Sequence, residues 1–86
     1  MSQITQLKEI LYRMVQSKVL ANEKEPRTLN INLKEISREL RCTANEVEMM
    51  LKHLKVTKEI KALIQVGFSK EEYTLTVPEN SSILNL

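Results

Sequence analysis

The amino-acid sequence predicts an α+β fold: three helices, one short strand and a C-terminal β-hairpin in a single domain. Three observations predict it. Residues 3–20 repeat apolar side chains at helical spacing. Residues 33–54 (LKEISREL-RCTA-NEVEMMLKHL) hold two short amphipathic segments around a tight turn. Residues 60–77 alternate apolar and polar side chains on either side of a polar loop.

In the first segment Ile4, Leu7, Ile10, Leu11, Met14, Val15 and Val19 spread over an arc of roughly 180°, wider than the ~100° stripe one core contact needs. That width predicts a second contact, with Ile10 and Met14 against another subunit; the alternative is a helix sandwiched deeply in its own core. The stretch Ala21–Arg27 is polar and contains Pro26, which predicts a surface loop. Thr28-Leu29-Asn30-Ile31 alternates as a short strand.

Each of the next two helices carries a start signal. Asn32 stands three residues before Glu35, and Thr43 three residues before Glu46. The second pair predicts a capping box, in which hydroxyl and carboxylate satisfy each other's backbone N–H groups. Leu33, Ile36 and Leu40 form one apolar stripe, and Val47, Met50, Leu51 and Leu54 form another. Helices joined so tightly must cross steeply, as in a helix-turn-helix. Then Ile60, Ala62, Ile64 and Val66 alternate along one strand face, a polar loop runs from Gly67 to Glu72, and Tyr73–Val77 alternates again until Pro78. The tail 79–86 is either a frayed terminus or a segment whose Ile83, Leu84 and Leu86 pack on a partner subunit or back across the first helix.

Helix, short strand, helix, turn, helix, hairpin: over residues 3–78 this order resembles the winged helix-turn-helix superfamily, with the hairpin as the wing. The resemblance implies a protein that binds double-stranded DNA by inserting the helix 44–55 into the major groove. It implies a homodimeric transcriptional regulator, most commonly a repressor, with two recognition helices ~34 Å apart on a repeated or palindromic site. A plasmid- or phage-type segregation adaptor on centromere repeats uses the same architecture, and a winged-helix module for a protein partner is the alternative of a different class. The sequence departs from the superfamily pattern in two places. Arg41 stands where glycine often supplies a positive φ, and the wing follows Lys70 with Glu71 and Glu72.

Within that frame the helix 44–55 turns Asn45, Met49 and Lys52 outward, flanked by Glu48 and His53. An Asn amide pairs bidentately with adenine. Lys52, Lys55 and, on the wing, Lys70 are expected at phosphates, which fix register without reading sequence. Thr43 at the helix start is expected to give a hydroxyl or N–H to a phosphate. Met49 suits either a thymine methyl or a neighbouring subunit. Glu48 is either an acceptor for a cytosine amino group or a solvated helix residue, and His53 either a pH-dependent phosphate contact or a bystander. Lys52, Lys55, Lys58 and Lys61 recur every third residue into the hairpin.

Composition sets the outer limits. A net charge of +2 is only mildly basic, so the placement of charge says more about nucleic acid than its sum. One cysteine excludes an internal disulfide, and Cys42 reads as a small buried spacer in the turn, with a redox switch or an intermolecular bridge as the alternative. One histidine and one cysteine give no clustered metal site. With no His-paired nucleophile and a single glycine, Gly67, there is no basis for an enzyme, and no cofactor is expected. No apolar run is long enough to span a membrane, and residues 1–10 lack the features of a signal peptide, so an intracellular, DNA-associated location is expected.

Overall fold

Every α-helix of the computed structural model, which describes residues 2–86, begins at a side chain that caps it. The first, α1 (Gln3–Leu20), starts at Ser2, whose Oγ accepts the Thr5 N–H at 3.2 Å. The second, α2 (Leu33–Leu40), starts at Asn32, whose Oδ1 accepts the N–H groups of Lys34 and Glu35 at 2.9 and 3.1 Å. The third, α3 (Ala44–Val56), starts at the capping box of Thr43 and Glu46. These contacts satisfy donors that a helix N-terminus otherwise leaves orphaned. Between α2 and α3 the chain reverses through Arg41 at φ 56°, ψ 48°, the left-handed region. Here a non-glycine residue carries the conformation that glycine would adopt without steric cost.

Three strands form one antiparallel sheet: β1 (Thr28–Asn32), β2 (Lys61–Gln65) and β3 (Glu72–Thr76), in the order β1-β3-β2. The central strand β3 pairs Leu75 with Leu29 and Tyr73 with Ile31, so these residues share the face turned to the helices. The core consists of Leu7, Leu11 and Val15 from α1, Ile36 and Leu40 from α2, Val47, Leu51 and Leu54 from α3, and Leu29, Ile31, Leu75 and Val77 from the sheet region, all buried.

The structure overturns one sequence expectation and decides between the alternatives of two others. Ile60, Ala62, Ile64 and Val66 do not share a face. Lys61 pairs with Thr76 but Ile64 with Thr74, so β2 spends three residues where β3 spends two. Ala62 lies at φ 54° in this bulge. One extra residue reverses the alternation. Ile60 is consequently buried and Leu63 partly so, while Ile64 and Val66 pass to the opposite, solvent-facing side of the sheet.

The tail is not frayed; it takes the expected alternative of packing back across the first helix. It closes as a 3₁₀ turn, Ser82–Asn85, against α1, with Ile83 fully buried, Leu84 partly buried and Leu86 half exposed. Glu59 holds it. Its Oε2 accepts from the Ser81 and Ser82 hydroxyls at 2.8 and 2.6 Å and from the Ser82 N–H at 2.7 Å. Those donors, the Ser82 hydroxyl foremost, draw the Glu59 carboxyl below its ordinary pKa against the opposing effect of burial.

The third concerns the breadth of α1, where the structure favours the alternative of a helix sandwiched in its own core. Ile10 is buried in its own chain and Met14 packs half-buried against that core, so most of the apolar arc is consumed internally. Ile10 and Ile83 are therefore core residues of their own chain.

Candidate nucleic-acid interface

Helix α3 is fixed on one side and open on the other. Val47, Leu51 and Leu54 are buried and Met50 is half-buried, which anchors one stripe for the whole length of the helix. On the far side Asn45, Met49, Lys52 and Val56 follow one another at i, i+4, i+7 and i+11, all exposed. His53 and Lys55 are exposed beside them. Val56 was missing from the sequence reading although it continues the spacing of Met49 by seven residues. It was legible as soon as the stripe was extended by a turn.

Two residues expected at a ligand are occupied within the protein. The Glu48 carboxylate accepts the Tyr73 hydroxyl at 2.9 Å and lies 3.7 Å from the Lys52 ammonium. It is half-buried and ties α3 to β3, so it is neither a solvated side chain nor a free acceptor for a base. The tyrosine answers to this bond. Glu48, first as hydrogen-bond acceptor and again as a negative charge, joins burial in raising the Tyr73 pKa. Tyr73 lies 25 residues from Glu48, a pairing for which the linear sequence carries no signal.

Thr43 is the second. Its N–H and its hydroxyl both lie 3.1 Å from the Glu46 carboxylate, and its Oγ1 accepts the Glu46 N–H at the same distance. The capping box uses both donors that a phosphate would need, so Thr43 serves the helix start. In the preceding turn Cys42 packs half-buried against the core. Burial, reinforced by the Glu46 charge, raises the thiol pKa and disfavours a reactive thiolate.

The basic residues divide by partner. Lys34 pairs with Glu71 at 2.9 Å, which takes up one of the two wing carboxylates, and Lys52 shares Glu48. Among the described residues Lys55, Lys58, Lys61 and Lys70 have no carboxylate partner. The first three meet with Ile60, Ala62, Pro78 and Asn80 around an open groove of about 390 Å³. Lys58, at φ 65°, makes the turn out of α3 that brings the lysine row around to β2. Lys70 stands apart on the hairpin loop, exposed.

This surface offers an amide and a run of cations over an apolar strip. No group of histidine, cysteine or acidic side chains able to hold a metal occurs among the described residues. Among the same residues, no helix is long and apolar enough to cross a membrane. Comparison with family models, curated proteins and solved structures finds no match for this chain.

Proposed function

We propose that the chain is a winged helix-turn-helix protein that binds double-stranded DNA as a homodimer and acts as a transcriptional regulator. The observation that carries the reading is the outer face of α3. Asn45 and Met49 stand exposed one turn apart near its N-terminus, and lysines without carboxylate partners gather at its C-terminal end. The N-terminal half of such a helix meets base edges, where an amide reads adenine and an apolar side chain meets a thymine methyl. Lysines further along neutralise phosphates and hold the register. The pairing of Glu71 with Lys34 supports the same reading, because it draws one of the two wing carboxylates toward α2 and leaves Lys70 beside a single acidic neighbour, Glu72, that is unpaired among the described residues.

The test is the double substitution Lys52→Glu with Lys55→Glu, measured by anisotropy on a labelled duplex. Both side chains are exposed, so the variant keeps the circular dichroism spectrum of the parent. Duplex binding is expected to disappear. A folded variant that binds as tightly as the parent removes α3 from the interface. Asn45→Ala separates reading from anchoring. On the selected site it costs about 1–3 kcal/mol, and on random duplex it changes little.

A further inference from the structure

A homodimer needs a surface, and the core has closed two of the expected ones: Ile10 and Ile83 are buried within the chain. Exposed large apolar side chains lie together in sequence at Val19–Leu20, at the end of α1, and in a larger group, Ile64, Val66 and Phe68, at 59%, 40% and 104% of full exposure. All three lie on β2 or just beyond it. In the order β1-β3-β2 this strand is an edge, with a partner on one side only. The other edge is obstructed, since the Thr28 carbonyl of β1 already accepts from the Lys18 ammonium of α1.

The backbone of β2 is oriented for a second partner. The Val66 N–H donates to the Glu72 carbonyl at 2.9 Å, and Ile64 pairs with Thr74 in the same register. Backbone groups of alternate residues point the same way across a ladder. Ile64 and Val66 therefore turn theirs toward β3, and the Gln65 N–H, the Gln65 carbonyl and the Leu63 carbonyl point away from the sheet. Edges of this kind are templates for pairing unless charge, proline or a bulge blunts them. In β2 the bulge and Lys61 lie at the start of the strand, ahead of residues 63–66.

The geometry points to β2 as the dimer interface, paired antiparallel with β2 of a second copy about a two-fold axis at Ile64. It rests on the two-copy part of the function proposed above and not on DNA binding. The strand is its own complement in this register. Ile64 faces Ile64 of the other copy, each Gln65 N–H donates to the opposite Leu63 carbonyl, and Val66 extends the apolar contact toward the other copy's bulge. The bulge at Ala62 ends the pairing before Lys61, so no two lysines meet along the paired strands. A second copy thus satisfies both the apolar pattern and the charge pattern of this edge, and the two three-stranded sheets become one of six strands.

The experiment is sedimentation velocity on the full chain without DNA, over concentrations from about micromolar to about millimolar. The parent protein is expected to move from one chain mass to two. Ile64→Lys places two cations on the axis. Gln65→Pro deletes the outward N–H while leaving the bonds to β3, a substitution that an edge strand accepts. Each is expected to weaken association by about tenfold or more. Met14→Lys, at a half-buried position on α1 and checked for folding by circular dichroism, is expected to leave it unchanged. Ile64 is solvent-exposed, so its variant folds and decides the matter even where the proline variant does not. A parent that stays monomeric throughout overturns the interface, whether or not it binds DNA. A dimer broken by Met14→Lys and indifferent to Ile64→Lys overturns it as well. A β2 dimer that ignores DNA keeps the interface and refutes the function proposed above.

Discussion

Removing the Ile83 side chain is the sharpest probe of how the tail is built into the domain. Ile83 is fully buried, yet it lies three residues from the last residue, in a 3₁₀ turn of four residues. A frayed terminus would lose nothing by Ile83→Ala. A core residue loses both the transfer free energy of the side chain and the cost of the cavity left behind, about 2–5 kcal/mol. Total stability for a domain of this length is on the order of 5–13 kcal/mol, so the loss is a large fraction. At about 4–8 °C per kcal/mol, a mid-range loss of about 3 kcal/mol lowers the melting temperature by about 12–24 °C. Circular dichroism melts and urea titrations measure it, with Leu86→Ala as the internal comparison. Leu86 is half exposed, and its truncation is expected to cost under about 0.5 kcal/mol. Equal effects of the two substitutions, both small, would refute the assignment of the tail to the core.

Three further outcomes follow from particular contacts. Glu59→Gln removes the carboxylate that gathers Ser81 and Ser82. Because the folded pKa of Glu59 is depressed, its contribution is present above the ordinary carboxylate pKa and is lost as pH falls through the lowered folded value. Urea midpoints of the variant should therefore fall less steeply with acid than those of the parent. Tyr73 titrates above the ordinary tyrosine value, so the stability held in its bond to Glu48 is complete below that value and is lost as pH rises through the raised one. Glu48→Gln is expected to bring the ultraviolet-detected ionisation of Tyr73 down toward the ordinary value. Arg41→Gly relieves a left-handed residue at a modest entropic cost and should stabilise the domain by about 0.5–1 kcal/mol, read as a higher urea midpoint.

Local signals were legible in the sequence, and long-range ones were not. Helix α1 runs over Gln3–Leu20, as the apolar spacing of residues 3–20 predicts, and Asn32 and Thr43 cap α2 and α3 at the expected positions. Both signals are complete within a few turns of chain. The left-handed turn at Arg41 was also visible, as a place where glycine is favoured and absent. The bulge in β2 was not. Ala62 adopts a positive φ without the glycine that would mark it, and the pattern Ile60, Ala62, Ile64, Val66 reads as unbroken alternation until β3 sets the register. Leu63 rather than Ala62 therefore faces inward, and the apolar residues beyond it become an edge. Ile83 was ambiguous because a segment as short as ILNL has no period of its own; its burial depends on Glu59, more than twenty residues away. At the candidate interface the outward face of α3 was readable from the helical wheel. The withdrawal of Glu48 and Thr43 was not, since it depends on the Tyr73 hydroxyl and on how fully the capping box spends its donors.

The central claim, that the outer face of α3 meets duplex DNA, is tested most directly by the salt dependence of binding to a random-sequence duplex. Each phosphate neutralised by a lysine releases condensed counterions and contributes a slope of about −0.9 in log K against log salt. A steep slope corresponding to several phosphates is expected, reduced by about 0.9 for each copy in which Lys55 alone is neutralised by Lys55→Gln. A folded parent protein that shows no binding at low salt, or a slope near zero, would contradict it and assign the exposed face of α3 to a protein partner.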